Sequence, residues 1–332
     1  MRSLILVSSA SQMYFILKLV KQFSLNTSAC TILIFSQDDV ELYNIRDIIG
    51  QHCWYKIIVL NIKKHNNKTL NRIVLGLKII SCITGKKFDM IVVSQIESGH
   101  YLFCLKVCRY QTIIALDEGF SSHRFVEKRK IDISAERLVI PSKITLYSTF
   151  NLAIAAPDKL IKIDTALLTR SSITNDINNE QVTFIGSPFV EDGLMSESTY
   201  MKYLSGVIGR YHQYKITYFL HRRETCTKFE KFNLITSLSF FKNVGPIEIY
   251  FENLNPLPCI VSGFNSAALY NLRKMIPSTL VRFESISLDP NSNSVDSIEL
   301  INSIEKTLET NGIFIIKNSL SQIPDRLLTR DQ

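Results

Sequence analysis

Short, nearly continuous apolar runs alternate with amphipathic segments along the first half of the chain. The apolar runs occupy residues 4–8, 31–35, 56–60, 88–93 and 112–116, and helical patterns cover 13–22, a segment from about 40, and 68–84. Strands that are apolar at successive positions are buried on both faces, as in parallel sheets. Their alternation with helices predicts right-handed β-α-β units and an α/β domain.

The alternation stops at a polar stretch and then resumes. Residues 166–180 are rich in Ser, Thr, Asn and Asp, which is typical of a linker. Beyond it the pattern predicts strands at 182–185, 215–220, 246–251 and 259–262, with helices at 196–208 and 266–274. We therefore expect an N-terminal Rossmann-like domain at 1–165, a linker at 166–180 and a C-terminal Rossmann-like domain at 181–332.

Composition limits the function without selecting one. A length of 332 residues suits two domains. Lys and Arg outnumber Asp and Glu by 38 to 30, and this excess fits nucleic acid, an anionic membrane surface or an anionic small substrate. No aromatic-basic motif supports nucleic-acid binding. The seven cysteines lack metal-site spacing, which indicates reduced thiols in the cytoplasm, and no apolar run is long enough to span a membrane.

Polar residues follow several predicted strands of the first half. Asp117-Glu118 comes directly after the run that ends at 116, and a carboxylate at a strand end can accept a proton from a sugar hydroxyl. Ser9 and Gln12 follow the first strand, and Ser94 follows the strand at 88–93. These residues could bind acceptor hydroxyls. An ordinary charged turn and helix caps are the alternatives.

A second group of polar residues follows the strands of the second half. His221 and Arg222 come after the strand at 215–220, where an imidazole and a guanidinium can form an anion site. The alternative is a solvated charged cap. Gly186 lies in a turn after the strand at 182–185, which we expect on the cleft side of the domain.

Two further segments are candidates for holding a nucleotide. Ser262 and Ser266 flank a Gly turn between a strand and a helix, so that Ser266 and the helix amides could bind a phosphate; the alternative is an ordinary N-cap. Glu248 lies in a predicted apolar strand and needs a partner if it is buried. A ribose diol and a structural Arg are both candidates for that partner.

Taken together, these motifs resemble the bacterial sialyltransferases of the lipooligosaccharide, capsule and O-antigen type, and are similar to glycosyltransferase family 52 and the polysialyltransferases. That group carries an acidic pair followed by Gly, as at 117–119, and a His motif, usually His-Pro, which here is the variant His221-Arg222. Glu248 matches its ribose-binding Glu, and Ser266 matches its phosphate-binding Ser, although Ala267 replaces the second Ser. The resemblance extends from about residue 8 to 272.

The resemblance implies a GT-B fold with a cleft between two Rossmann-like domains. The first domain would bind a galactose-terminated acceptor through Ser9, Gln12, Ser94 and Glu118, and the second would bind CMP-sialic acid. Asp117 would deprotonate the acceptor in a single inverting displacement, with an α2,3 linkage expected, and His221 would neutralise or protonate the departing phosphate. Neither a metal nor a cofactor is expected.

Three alternatives stay open. The chain could be a GT-B transferase with another nucleotide-sugar donor, a nucleic-acid-binding protein, or a non-catalytic subunit of surface-polysaccharide assembly. We expect no nucleic-acid partner and a cytoplasmic location. A lipid-linked acceptor, peripheral contact with the inner face of the bacterial inner membrane, and a homodimer are compatible with the sequence.

Overall fold

The computed structural model describes residues 1–20, 22–36, 39–50, 52–62, 68–94, 96–117, 122, 125–126, 143–170, 176–232, 235–242, 245–288 and 295–317. The chain divides into two compact units. Unit 1 comprises Met1–Leu168 with Val244–Pro246, and unit 2 comprises Thr169–Asn243 with Ile247–Gln332. Each unit is a parallel α/β sheet flanked by helices.

Unit 1 contains a seven-stranded sheet in the order β3-β2-β1-β4-β5-β6-β7, and its strand pairs are parallel. The strands are β1 (Ser3–Val7), β2 (Cys30–Ser36), β3 (Lys56–Asn61), β4 (Lys87–Val93), β5 (Arg109–Leu116), β6 (Thr145–Ser148) and β7 (Lys159–Lys162). The helices are α1 (Ala10–Lys18), α2 (Asp39–Ile49), α3 (Lys68–Ile83) and α4 (Gly99–Val107).

Burial in unit 1 follows the apolar pattern of the sequence. Every residue of β1 and β2 is buried, because both are central strands covered on two faces. β3 is the edge strand, and Lys56 and Ile57 are exposed there. Ser9 caps α1 by accepting a hydrogen bond from the Gln12 amide, so the helix begins earlier than predicted.

Unit 2 contains a six-stranded sheet in the order β10-β9-β8-β11-β12-β13, again with parallel pairs. Its strands are β8 (Ile177–Ile185), β9 (Lys215–Phe219), β10 (Leu238–Phe241), β11 (Leu257–Gly263), β12 (Arg282–Ser287) and β13 (Phe314–Lys317). Its helices are α5 (Glu197–Arg210), α6 (Ile247–Asn253), α7 (Ala267–Met275) and α8 (Val295–Thr310).

Both sheets have the strand order of a Rossmann domain, in which the chain returns to the middle of the sheet after three strands. The order reverses between β1 and β4 in unit 1 and between β8 and β11 in unit 2. Open α/β sheets bind ligands beyond the carboxyl ends of the strands at such a reversal. The fold therefore predicts a ligand site at the carboxyl ends of the strands in each sheet.

Two predictions about local structure are wrong. Residues 246–251 were expected to form a strand but belong mainly to α6, because Ile247 and Phe251 are also spaced as i and i+4, and both are buried on one helix face. Residues 177–180 of the predicted linker form the start of β8, where Asn179 and Glu180 are exposed. Polar composition there reflects a solvent-facing strand end.

Candidate active site

Three neighbouring strands of unit 2 end in residues that the sequence identifies as candidates. Gly186 follows β8 directly, His221 lies shortly after β9, and Ser266 lies shortly after β11. Because β9, β8 and β11 are adjacent and parallel, their carboxyl ends lie along one edge of the sheet. The structure therefore brings these three positions to the edge where a Rossmann sheet binds ligands.

The turn that carries His221 is closed by two hydrogen bonds with Glu224. The His221 amide donates to Glu224 Oε2 at 2.7 Å, and the Glu224 amide donates to the His221 carbonyl oxygen at 2.8 Å. Glu224 is buried, so the carboxylate that holds the turn is shielded from water. The backbone of the His221 turn is thus held by the buried Glu224.

The imidazole of His221 is half-buried and its hydrogen-bond roles are defined. Nδ1 accepts from the Arg223 amide at 3.3 Å, and since an amide can only donate, the neutral ring carries its proton on Nε2. Burial, followed by the positive charges of Arg223 and Arg222, lowers the pKa of His221 to about 4. At neutral pH the ring of the free protein is therefore uncharged and offers one N–H. The contact expected between this neutral ring and a phosphate is therefore hydrogen-bond donation from Nε2.

The two arginines beside His221 are both exposed. Arg223 forms an ion pair with Asp192 through its guanidinium. Arg222 lies at the strand end next to His221. A guanidinium there can bind a phosphate group by charge-assisted hydrogen bonds, so the positive charge of this motif resides on Arg222 and Arg223.

Glu224 supports the His221 turn, and no role was assigned to it from the sequence. Its Oε1 accepts from the hydroxyls of Tyr218 at 2.9 Å and Tyr200 at 3.1 Å, and it pairs with Lys228 Nζ at 3.0 Å. Lys228 also pairs with Glu191 at 2.9 Å. All these side chains except Glu191 are almost fully buried. The spacing of Glu224 and Lys228, four residues apart, was the available sequence signal.

Ser262 and Ser266 occupy different environments. Ser266 is the N-cap of α7 and accepts from the Ala268 amide at 3.2 Å, which leaves its predicted phosphate contact as a prediction. Ser262 is fully buried and is hydrogen-bonded to the Tyr211 hydroxyl at 3.0 Å. The Tyr211 hydroxyl donates its one proton to Glu284 at 2.6 Å. Ser262 is therefore engaged in the core, and its contact with the donor stays a prediction.

Glu248 lies in the first turn of α6 and is buried. Its Oε1 accepts from Asn271 Nδ2, which belongs to α7, at 2.9 Å. Burial raises the pKa of the Glu248 carboxyl. The partner is an amide rather than the structural Arg considered above, so the cost of burying this carboxylate is not offset by a paired cation at that contact. A ribose diol as a further partner stays a prediction.

In unit 1, Asp117 follows β5 and is tied to the end of β6. Its Oδ2 accepts from the Ser148 hydroxyl at 2.7 Å and from the Thr149 amide at 3.0 Å, and the Asp117 amide donates to the Tyr147 carbonyl oxygen at 3.0 Å. These bonds fix the carboxylate at the carboxyl edge of the sheet. Its role as a base stays a prediction. Glu118, the second carboxylate of the motif, lies outside the described residues.

A cavity of about 230 Å³ opens beside this strand end. Its lining includes Ser94, Glu97, Leu116, Ser122 and Leu146. Ser94 is 7% exposed, and within the described part of the chain its hydroxyl has no hydrogen-bond partner. An unpaired buried hydroxyl is costly unless a bound molecule satisfies it. The volume lies just below the range of about 300–1,000 Å³ for small-molecule pockets and suits one sugar ring.

The other predicted acceptor residues of unit 1 are engaged within the fold. Ser9 is the N-cap of α1 and is 5% exposed. Gln12 is buried, and its Oε1 accepts from the Ser8 amide at 2.7 Å and from the Tyr101 hydroxyl at 3.2 Å. These contacts give both residues structural roles at the end of β1, and acceptor contact stays a prediction for them.

Among the residues that the structure describes, no three His, Cys, Asp or Glu side chains come together as a metal site would require. Across the same ranges, no helix combines the length and apolar character of a membrane-spanning segment.

The sequence matches no protein-family model and no curated protein. Solved structures nevertheless share the fold. A UDP-N-acetylglucosamine 2-epimerase from Methanocaldococcus jannaschii, in complex with UDP-GlcNAc and UDP, aligns with a TM-score of 0.60 and 12% identity, over 100% of this chain and 93% of that chain. MnaA from S. aureus, solved with UDP, aligns with a TM-score of 0.51 and 10% identity, over 94% and 90%.

A third similar structure is the E. coli heptosyltransferase WaaC with ADP, with a TM-score of 0.45 and 12% identity, over 99% of this chain and 98% of that chain. This likeness is too weak to support an argument. The first two confirm the predicted fold class, a GT-B fold built from two Rossmann-like units. At such low identity they show the fold alone.

Proposed function

We propose that this chain is an inverting sialyltransferase that transfers sialic acid from CMP-Neu5Ac to a galactoside of a bacterial surface glycan. The observation that carries the proposal is the His221 turn, an N–H donor beside an exposed guanidinium at the carboxyl edge of a Rossmann sheet. The sequence motifs that resemble sialyltransferases lie at strand ends in both units, at Asp117 and at His221.

The donor side fits a nucleotide with a single phosphate. His221 Nε2–H, Arg222 and the first amides of α7 can donate to phosphate oxygens, and the helix N-terminus adds a favourable partial charge. Glu248 would hold the ribose diol. Because CMP-Neu5Ac carries one phosphate, such donors can stabilise the leaving group without a metal ion.

The acceptor side fits general-base catalysis by a fixed carboxylate. Asp117, held by Ser148 and Thr149, would remove the proton of a galactose hydroxyl, with part of the acceptor seated in the cavity against Ser94. The acceptor oxygen would form a bond to the anomeric carbon of sialic acid. The bond from that carbon to the phosphate oxygen would break, and CMP would leave with the electron pair, stabilised by His221 and Arg222.

A second candidate is an enzyme that acts on a UDP-sugar. It is favoured by the fold similarity to a UDP-N-acetylglucosamine 2-epimerase bound to UDP-GlcNAc and to MnaA bound to UDP. The same phosphate-binding edge would serve a nucleoside diphosphate. The identity of the nucleotide therefore discriminates between the two candidates.

Nucleotide-dependent stability tests the donor. Purified protein in EDTA is heated with CMP, UDP or GDP, and CMP at about 100 times its dissociation constant should stabilise it by about 2.7 kcal/mol, or roughly 5–10 °C. His221→Asn should abolish most of the CMP shift, whereas Asp117→Asn should retain it. A larger shift with UDP would reject the CMP donor and favour the second candidate.

Transfer itself is tested with CMP-Neu5Ac and a panel of tagged galactosides, and linkage-specific sialidases identify the product. We expect an α2,3-sialylated galactoside formed in the presence of EDTA. CMP binding without transfer to any acceptor and without CMP release would contradict a catalytic role and support a non-catalytic subunit.

A further inference from the structure

Helix α3 is apolar on two sides, and one of these sides faces solvent. Ile79 and Ile83 are 1% and 0% exposed and belong to the buried side. Ile73, Leu77 and Ile80 follow the spacing i, i+4 and i+7 and are 55%, 62% and 39% exposed. An apolar side of a helix is normally covered, and this exposed side of α3 has no partner in the described structure.

Exposed apolar side chains are concentrated on α3. Thirteen large apolar side chains are exposed among the described residues, and four of them, including Val74, belong to α3. Single exposed apolar residues are normal, but contiguous ones mark an interaction surface. We call Ile73, Val74, Leu77 and Ile80 the α3 face.

The segment around the α3 face carries the entire net charge of the protein. Residues 56–87 contain eight Lys or Arg and no Asp or Glu. Subtracting these eight from 38 leaves 30, which balances the 30 Asp and Glu of the chain. Lys56, Arg72, Lys78 and Lys86 are described members of this set, and all are exposed. The apolar stripe is therefore embedded in a purely cationic stretch of sequence.

We propose that the α3 face docks on an anionic lipid bilayer, with the apolar side chains at the headgroup boundary and the surrounding cations against acidic headgroups. An apolar stripe flanked by Lys and Arg is the composition of interfacial helices. A second copy of this chain fits less well, because a symmetric contact would oppose two cationic segments. The proposal is independent of the donor and acceptor chemistry, since α3 carries none of the site residues.

Vesicle binding tests the proposal with the full chain. Co-sedimentation is measured with phosphatidylcholine vesicles and with vesicles of phosphatidylcholine and phosphatidylglycerol at about 70:30. We expect binding to the anionic vesicles that weakens strongly at high salt. Lys78→Gln should reduce the partition coefficient about fivefold, whereas Lys202→Gln, an exposed lysine of α5, should have little effect.

A second set of variants tests the contribution of the apolar side chains to vesicle binding. Ile73→Gln with Leu77→Gln should reduce binding at least tenfold. Leu194→Gln in unit 2 is the control, because Leu194 is 65% exposed, close to the 62% of Leu77. Unchanged melting temperatures and CMP shifts would show that the variants are folded.

Three outcomes would overturn the proposal. They are the absence of vesicle binding by the wild-type chain, equal binding to neutral and anionic vesicles, and a wild-type dimer in gel filtration that the Ile73 and Leu77 changes convert to a monomer. The last result would assign the α3 face to a second copy of the chain. None of them bears on sialyl transfer to a soluble galactoside.

Discussion

Substitution of Gly186 by Ala tests whether the buried network beneath the His221 turn supports the site. A Cβ atom at this position would overlap Glu224 Oε2 and would lie 2.6 Å from the Tyr218 hydroxyl oxygen. Both neighbours are almost fully buried and hydrogen-bonded to each other, so neither can simply turn toward solvent. Only glycine leaves room for the carboxylate at the end of β8.

The loss of folding free energy in Gly186→Ala depends on how Glu224 and Tyr218 accommodate the added Cβ atom. Overpacking a buried site costs about 1–3 kcal/mol. If Glu224 is displaced, the buried pair with Lys228 is broken, and losing one partner of such a pair costs about 3–5 kcal/mol. We expect Gly186→Ala to destabilise unit 2 by about 3 kcal/mol or more and to lower its unfolding midpoint by about 6–12 °C. CMP binding should weaken as well, because Glu224 holds the His221 amide.

Calorimetry and circular dichroism report the unfolding of the whole chain, and fluorescence of the single Trp, Trp54, reports unit 1, whose midpoint should not change. Gly99→Ala is the matched control: no atom lies within 4 Å of its Cβ position at the start of α4, so the change should stay within about 0.5 kcal/mol. A Gly186→Ala protein with wild-type stability would refute the reasoning, as would an equal loss in the control.

Three further predictions concern the titratable residues. Asp117→Asn keeps an oxygen acceptor for the Ser148 hydroxyl and should lower the kcat of transfer by about 10²–10⁴ without changing the melting temperature by more than a few degrees. Burial raises the pKa of Glu248, so the wild-type protein loses stability as the pH rises from 4.5 through that raised pKa. Glu248→Gln should therefore have a higher melting temperature than wild type at pH 8, and this difference should disappear toward pH 4. The same variant should show a smaller increase in melting temperature with CMP. The pKa of His221 is lowered from 6.5 to about 4, so between these values the unfolded chain binds a proton that the folded chain does not, and stability is lost as the pH falls. His221→Asn should reduce this loss by about 1–3 kcal/mol in urea titrations. An unchanged loss of stability in acid would contradict the burial of a neutral ring.

The core of each sheet was predictable because central parallel strands are written as uninterrupted apolar runs. β1, β2, β4 and the second half of β5 follow this rule, and the sequence pattern located them. β7 was not recognised, since a four-residue edge strand that begins and ends with Lys has no such pattern. The strand prediction at 246–251 failed because alternating apolar residues also satisfy an i, i+4 helix contact, and packing decides between the two.

The locations of the candidate site residues were predictable from the sequence, but their hydrogen-bond partners were not. The carboxyl ends of apolar runs gave the locations of Asp117 and His221. The bond from Ser148 to Asp117 joins residues 31 apart, and the bond from Tyr211 to Ser262 joins residues 51 apart. Such pairs depend on the order of the strands in the sheet, which local patterns do not determine.

The environment of His221 also gives a physical meaning to Arg222, which replaces the Pro usual in the resembling family. A neutral imidazole with one N–H can orient a phosphate, but it supplies no net charge to the CMP that leaves. Arg222 is permanently charged and exposed beside it, so in the proposed reaction His221 would orient the phosphate and Arg222 would supply the charge. Glu224 accepts a hydrogen bond from the His221 amide, and under the proposal this buried carboxylate would restrain the turn where the family has a proline ring. On this basis Glu224→Ala should impair CMP binding as strongly as His221→Asn, although the Glu224 side chain is buried.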